Sequence, residues 1–332
     1  MYSKKIILIN LILLSFISIK AHPGIGLVYD GDKTIYYTDL KQVWRLNIET
    51  GQKEIAVKDV HTHELHLDKD GNLYGEHYWY VESEQKFKHY IWQMNKGGKI
   101  EKIREDQYGE NYHFSFVRDT NFISYELQKA DTEYRILKKD EDSIAELGQI
   151  KLKNPTWKYL SKSGNYYFVD YPSIYKSKGD KVIQLVENIS KSRIPFSTQR
   201  DRHKIYGIWT DAKENVYVAI YGGRVVRKIN EKLEVSTVLK SSLLWSPVNG
   251  LFDKNGNLWL MESKLNGKIR VRKVNKQDLE QINPFIIENI LLISGVILIG
   301  LVLILLIKRF RSTKAKKRLG QSKRLSRRLV SH

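Results

Sequence analysis

Through the middle of the chain, short runs of apolar residues alternate with polar neighbours and stop at clusters of Asp, Gly, Asn and Lys. Alternation with period two marks strands with one buried face, and the clusters mark turns. One phrase, a turn-forming stretch running into a β-rich strand, occurs six times. Asp68 to Tyr74 reads DKDGNLY and Asp253 to Trp259 reads DKNGNLW, with weaker copies at Asp30, Val117, Ser161 and Asp211. Five places after each anchor an apolar residue opens the strand: Ile35, Leu73, Phe122, Tyr166, Val216 and Leu258. The anchors lie 38, 49, 44, 50 and 42 residues apart, the length of a four-stranded propeller blade.

Further runs fill out each unit. VWRLN (Val43–Asn47), IWQMN (Ile91–Asn95), RILKK (Arg135–Lys139), SIYKSK (Ser173–Lys178), VVRKIN (Val225–Asn230) and RVRKVN (Arg270–Asn275) read as third strands. KEIAV (Lys53–Val57) and VIQLV (Val182–Val186) read as fourth strands. The prediction is an all-β, six-bladed β-propeller over residues 22–283. Its last unit is the weakest, because residues 276–283 offer only Leu279 and Ile282 to a fourth strand, and how the ring closes is left open. Trp44 and Trp92 share a third-strand position, which suggests packing between blades. Gly222-Gly223 fits a hairpin turn where positive φ is useful.

The two ends of the chain point to a membrane. Lys4 and Lys5 precede an apolar run from Ile6 to Ile19, so residues 1–21 read as a secretory signal peptide. Ile19-Lys20-Ala21 departs from the small-x-small cleavage rule, which leaves a retained signal anchor open. Residues 284–307 are predicted as a transmembrane helix, since the 23 residues from Phe285 to Ile307 are interrupted only by Glu288 and Asn289. At about 1.5 Å per residue such a stretch crosses roughly 30 Å of hydrocarbon.

Charge then sets the orientation. Residues 308–332 form a tail with eleven Lys or Arg and no acid, and basic flanks stay in the cytoplasm. The propeller is therefore expected on the extracytoplasmic side of a single-pass membrane protein, in the periplasm of a Gram-negative source, with the tail against anionic lipid. The formal charge of +19 falls to +5 once the tail and Lys4, Lys5 and Lys20 are set aside, so the basicity is topological and no nucleic-acid partner is implied. The chain has no cysteine, and an exported domain without disulfides must be held by its core.

Two stretches carry a family resemblance. GIWTDAKENVYVAIYGGRVVRKIN, Gly207 to Asn230, resembles a blade of the senescence-marker-protein/gluconolactonase family, and NGLFDKNGNLWL, Asn249 to Leu260, resembles that family's Asn-Gly-Leu blade and blades of NHL-repeat propellers. The resemblance implies a propeller with a divalent cation at the channel mouth, held by a Glu, an Asn and an Asp that is also the general base. Asn249 falls where the Asn ligand would fall. Tyr206 stands where the Asp would, and a tyrosine is neither a hard anionic ligand nor a useful base at neutral pH.

The same ring of positions yields a candidate site from the repeat alone. Residues four places before the anchors occupy equivalent ends of the innermost strands: Gly26, Glu64, His113, Trp157, Gly207 and Asn249. One place earlier stand Ile25, His63, Tyr112, Thr156, Tyr206 and Val248. The ligand-binding candidates are Glu64, His63, Tyr112, His113, Trp157, Tyr206 and Asn249, and the metal-ligating candidates are Glu64, Asn249 and His113. Convergent polar groups at a concave mouth suit a small polar ligand or a cation. The run His61-Thr-His-Glu-Leu-His66 looks like a metal box, but in a strand His61 and His63 would share one side and Glu64 and His66 the other, with His77 able to join one face.

No Gly-x-Ser-x-Gly elbow, Walker loop or kinase signature occurs, and no residue is assigned a catalytic role. The reading favoured is a membrane-tethered recognition module that binds a protein, peptide or small molecule without turning it over. The alternative is a divalent-metal-dependent hydrolase of the gluconolactonase type with an altered active site, whose cofactor would be Ca²⁺, Mn²⁺ or Zn²⁺.

Overall fold

A computed structural model of the chain describes residues 24–104, 107–108, 117–140, 142–153, 155–179, 181–190, 205–242, 244–264 and 266–274. The chain divides into two compact units, Met1–Ile282 and Asn283–His332, and every described residue belongs to the first. The predicted signal segment, transmembrane helix and tail lie outside the described residues. Among those described, no helix is long and apolar enough to cross a membrane.

The described residues build six antiparallel sheets in chain order, an all-β six-bladed propeller. Blade 1 is β1 (Leu27–Tyr29), β2 (Thr34–Thr38), β3 (Val43–Asn47) and β4 (Lys53–Val57). Blade 2 is β5 (Leu65–Leu67), β6 (Leu73–Val81), β7 (Lys86–Met94) and β8 (Ile100–Lys102), with β9 (Gln107–Tyr108) also paired to β7. Blade 3 shows β10 (Ser124–Ala130), β11 (Glu133–Lys139) and β12 (Ile144–Ile150). Blade 4 is β13 (Pro155–Leu160), β14 (Tyr166–Asp170), β15 (Ser173–Lys178) and β16 (Lys181–Val186). Blade 5 is β17 (Ile205–Thr210), β18 (Val216–Ile220), β19 (Val225–Ile229) and β20 (Val235–Lys240), and blade 6 shows β21 (Trp245–Phe252), β22 (Leu258–Lys264) and β23 (Ile269–Lys273).

The recurring phrase works as a hydrogen-bonded clip. In blade 6 the Oδ1 of Asp253 accepts the amides of Asn255 and Asn257, both at 2.9 Å, while its Oδ2 accepts Asn257 Nδ2 at 2.9 Å and the buried indole of Trp259 at 3.0 Å. Asp68 with Asn72 and Tyr74, and Asp211 with Asn215 and Tyr217, repeat the arrangement. One carboxylate thus satisfies turn amides that strand pairing cannot reach and pins the aromatic two places into the next strand. Burial opposes ionisation of Asp68 and Asp253, but these donated bonds outweigh it and hold both carboxyls below the ordinary value.

Blade 4 has Ser161 in place of the Asp. Its carboxylate comes from the next blade: Glu214 accepts hydrogen bonds from Ser163 (2.6 Å), Asn165 Nδ2 (2.9 Å) and the hydroxyl of the buried Tyr167 (2.6 Å).

Blade 3 departs from the predicted register. The anchor is Asp119, two places after Val117, because Asp119 Oδ1 accepts the amides of Asn121 (2.8 Å) and Ile123 (3.1 Å). Phe122 lies in the turn with a φ of 69° instead of opening the strand, and β10 starts at Ser124. At four of the other five anchors the predicted residue opens the strand, whereas β2 opens one place before Ile35, at Thr34; Ile35, Leu73 and Leu258 are wholly buried.

Each blade packs on the next. Val43 and Val57 meet Leu65, Leu73 and Trp92 between blades 1 and 2. The ring of Phe122 packs edge-on against Tyr74 at 4.9 Å and His66 at 5.4 Å between blades 2 and 3. Continuous apolar clusters follow between blades 3 and 4, 4 and 5, and 5 and 6. The ring closes where Leu27 and Tyr37 of blade 1 join Val248, Trp259 and Met261 of blade 6, with Lys254 paired to Asp32 at 2.9 Å. Trp92 is buried and Trp44 half-buried in these clusters, as their repeated position suggests. The hairpin at Tyr221–Arg224 forms as expected, but its positive φ, 54°, falls on Arg224 and on neither glycine.

Replacing Glu214 by Ala is expected to destabilise the fold by about 2–3 kcal/mol, since it strips a charged acceptor from three donors, two of them on buried residues. Ser161→Asp restores the local clip and is expected to recover much of that loss, yet to destabilise the parent, where it would face Glu214. Denaturant titrations of the two single variants and the double variant measure both effects.

Candidate functional site

The innermost strands meet through a belt of contacts at the predicted positions. The carbonyl of His63 in blade 2 accepts the amides of Ile25 (3.1 Å) and Gly26 (2.7 Å) in blade 1. The Asn249 side chain of blade 6 donates from Nδ2 to the Ile25 carbonyl at 2.8 Å, and its Oδ1 accepts the Gly250 amide at 2.8 Å. Blade 5 follows at Gly207, where a Cβ would collide with the Val248 carbonyl and lie 2.8 Å from the Cα of Asn249. Only a residue without a side chain lets these two strands approach so closely. Trp157 of blade 4 then packs on Tyr206 with ring centroids 5.5 Å apart, and Tyr206 on Tyr221 at 5.0 Å.

The strands share a distortion at this level. Pairing of β13, β17 and β21 with their neighbours slips between Pro155 and Lys158, Ile205 and Gly207, and Pro247 and Asn249. A β-bulge bends its strand and re-aims side chains, and bulges gather beside functional sites. Three blades therefore carry the same irregularity where the repeat predicted a site.

The structure brings His63, Glu64, Trp157, Tyr206 and Asn249 onto this belt, with Tyr206 buried and the other four half-buried. Tyr112 and His113 lie outside the described residues. The Asp119 anchor moves the equivalent position of blade 3 from His113 to Ser115, which also lies outside them. Among the described residues no three His, Cys, Asp or Glu side chains form a metal-holding cluster.

Glu64 is the charged group of the belt. Burial pushes its carboxyl above the ordinary value; the ammonium of Lys158 in blade 4 pulls it back, and the carboxylate of Glu76 pushes it up further. Glu76 lies 2.6 Å from Nδ1 of the buried His89, and burial raises its carboxyl also. Tyr166, buried at the start of β14, has its phenol raised by burial and by the charges of Glu126 and Glu64. Periodicity along one strand could not pair Glu76 with His89, since they sit on opposite arms of the β6–β7 hairpin. The alternation within each arm does put both on one face, a signal visible once the hairpin register is known.

The box of histidines separates, with His61, His63 and Glu64 ahead of β5 instead of within a strand and only His66 inside it. The Nε2 atoms of His61 and His63 stand 3.0 Å apart. His66 turns away into the blade 2–3 contact, where burial and the charge of Arg118 lower its pKa to about 4.

No family profile and no curated protein matches the chain. Solved structures do. An auxiliary nutrient binding protein from Bacteroides ovatus matches at 9% identity and a TM-score of 0.50, over 76% of this chain and 70% of that one. Virginiamycin B lyase from Staphylococcus aureus matches at 12% and 0.40, over 77% and 87%. A gluconolactonase from Xanthomonas campestris matches at 11% and 0.42, over 71% and 81%. At these identities the likeness is one of fold: the chain is a six-bladed propeller whose structural neighbours include binding proteins, lyases and gluconolactonase-like propellers.

A carboxyl raised in the folded state costs stability above its unfolded value and nothing below it. Glu64→Gln is therefore expected to raise the melting temperature at pH 8, with the gain shrinking as pH falls and vanishing below about pH 4, where glutamate is protonated in the unfolded chain as well. Melting curves of both proteins across that range test the sign.

Proposed function

We propose that this chain is a rigid recognition module, tethered by its carboxy-terminal apolar segment on the extracytoplasmic side of a membrane, that binds a small polar or peptide ligand at the mouth of the propeller channel. The observation that carries the reading is Glu64: an acidic side chain on the inner belt whose burial is partly offset by the charge of Lys158 in blade 4, on the same belt as the packed rings of Trp157 and Tyr206. Such a group costs stability where it stands, and costly ionisable groups concentrate at functional sites. The ligand it suits carries a cationic or hydroxyl group for the carboxylate and an apolar face for the aromatic wall.

The hydrolase alternative rests on the resemblance of Gly207–Asn230 and Asn249–Leu260 to gluconolactonase-type blades. It has to work with Tyr206 in place of the expected Asp and with both ends of the Asn249 amide engaged by backbone. Recognition without turnover asks for neither base nor metal.

Thermal-shift screening of the full-length chain in detergent against amino acids, polyamines and monosaccharides is expected to yield stabilising ligands whose effect is lost in Glu64→Gln and reduced in Trp157→Ala. Stabilising ligands indifferent to both changes would move the site off the channel mouth. The tether is tested separately. The cysteine-free sequence gives no background to thiol labelling, so Ile144→Cys, at a residue 68% exposed, should react with an impermeant maleimide on intact cells, whereas Ser331→Cys should react only after lysis.

A further inference from the structure

Just ahead of Glu64 in the chain, the imidazoles of His61 and His63 bring two metal-ligating nitrogens together, with their Nε2 atoms 3.0 Å apart. The segment that carries them is held by several backbone and side-chain hydrogen bonds. The His61 amide donates to Nδ1 of His77 at 3.0 Å, and its carbonyl accepts the Tyr78 amide at 3.1 Å. Between the histidines, the Thr62 carbonyl accepts the Thr38 hydroxyl at 2.7 Å, while its own hydroxyl donates to the Glu76 carbonyl at 2.7 Å and accepts the buried Trp92 indole at 3.1 Å. The His63 carbonyl takes the two amides of blade 1 described above. Thr62 is wholly buried, while the flanking imidazoles of His61 and His63 are half-buried and meet edge-on with centroids 4.7 Å apart.

Two Nε2 atoms 3.0 Å apart share one proton at most, since two N–H groups would collide and two lone pairs would repel. A cation placed between them uses both lone pairs at once. Adjacent ligand nitrogens about 2.0–2.1 Å from a metal stand about 2.9–3.4 Å from each other in square-planar or tetrahedral geometry, the separation already present. We propose that His61 and His63 form a preorganised two-imidazole site for a borderline divalent cation of the Zn²⁺ and Cu²⁺ kind, with water completing the coordination. This site differs from the set of Glu64, Asn249 and His113, and it does not depend on the recognition reading. Imidazole is the ligand such cations favour over Ca²⁺ or Mg²⁺. The rigidity of the segment removes most of the ordering cost of bringing two side chains to one ion. His77 keeps its Nδ1 on the His61 backbone and so serves the site by holding that residue.

The test uses tag-free, chelator-stripped full-length protein in detergent. Titration with Zn²⁺ is expected to show one equivalent bound, and the electron paramagnetic resonance spectrum with one equivalent of Cu²⁺ to show hyperfine coupling to two imidazole nitrogens. His61→Asn and His63→Asn should each abolish the stoichiometric Zn²⁺ step and the two-nitrogen pattern while circular dichroism stays that of the parent, and His332→Asn should leave both. Absence of a stoichiometric step, coupling to fewer than two nitrogens, or binding that survives in both histidine variants would overturn the proposal. Should either variant fail to fold, the Cu²⁺ spectrum of the parent decides alone. A failure here would leave the ligand screen at Glu64 untouched, because that screen reads stabilisation by organic ligands in metal-free buffer.

Discussion

The structure depends on a carboxylate that gathers the amides of a tight turn. A propeller is a set of sheets whose inner edges must converge without leaving backbone donors stranded, and every strand-to-strand reversal near the axis creates such donors. Asp30, Asp68, Asp119, Asp211 and Asp253 each meet this demand with one side chain. In three blades the same carboxylate also holds the aromatic that packs toward the neighbouring sheet. Local turn chemistry and inter-blade packing are thereby one interaction, and the apolar clusters between blades are in register because the clips are.

That framework explains why the channel mouth can hold groups that are unfavourable there. The belt from His63 through Ile25 and Asn249 to Gly207 fixes the inner strands by backbone and amide contacts. The side chains projecting beside it are free of structural duty in proportion as the backbone carries the load. Burial raises the Glu64 carboxyl above its ordinary value, and the charge of Lys158 offsets only part of that. The bulges in three inner strands have a similar meaning, since each sacrifices ladder regularity at the level where a ligand would be met.

Much of this was legible in the residues. The strand starts at Leu73, Tyr166, Val216 and Leu258, and the third strands at Val43–Asn47 and Ser173–Lys178, follow from period and turn chemistry because each is decided within a few residues. Blade 3 was misread because VRDTNFI offers Asn121 and Phe122 at the spacing of the phrase, while the residue that organises the turn is the carboxylate of Asp119. Ring closure, the Glu214 substitution and the approach of Lys158 to Glu64 depend on partners 47 or more residues away, or on the two ends of the propeller, and no local pattern encodes them. The belt positions of Glu64, Trp157, Tyr206 and Asn249 came from the repeat, but which of their atoms are engaged by neighbours came only from the fold.

The carboxylate that blade 4 borrows sets a rule for the history of this chain. Propellers grow and shrink by copying or losing whole sheets, and most junctions tolerate this because each sheet brings its own turn. The junction between Ser163 and Glu214 does not: a new sheet inserted there would part Tyr167 and Asn165 from the carboxylate that accepts their hydrogen bonds. Blades 4 and 5 are in that sense a single heritable piece, whereas a circular permutant opened between them would leave the two sheets neighbours in the ring and this turn intact.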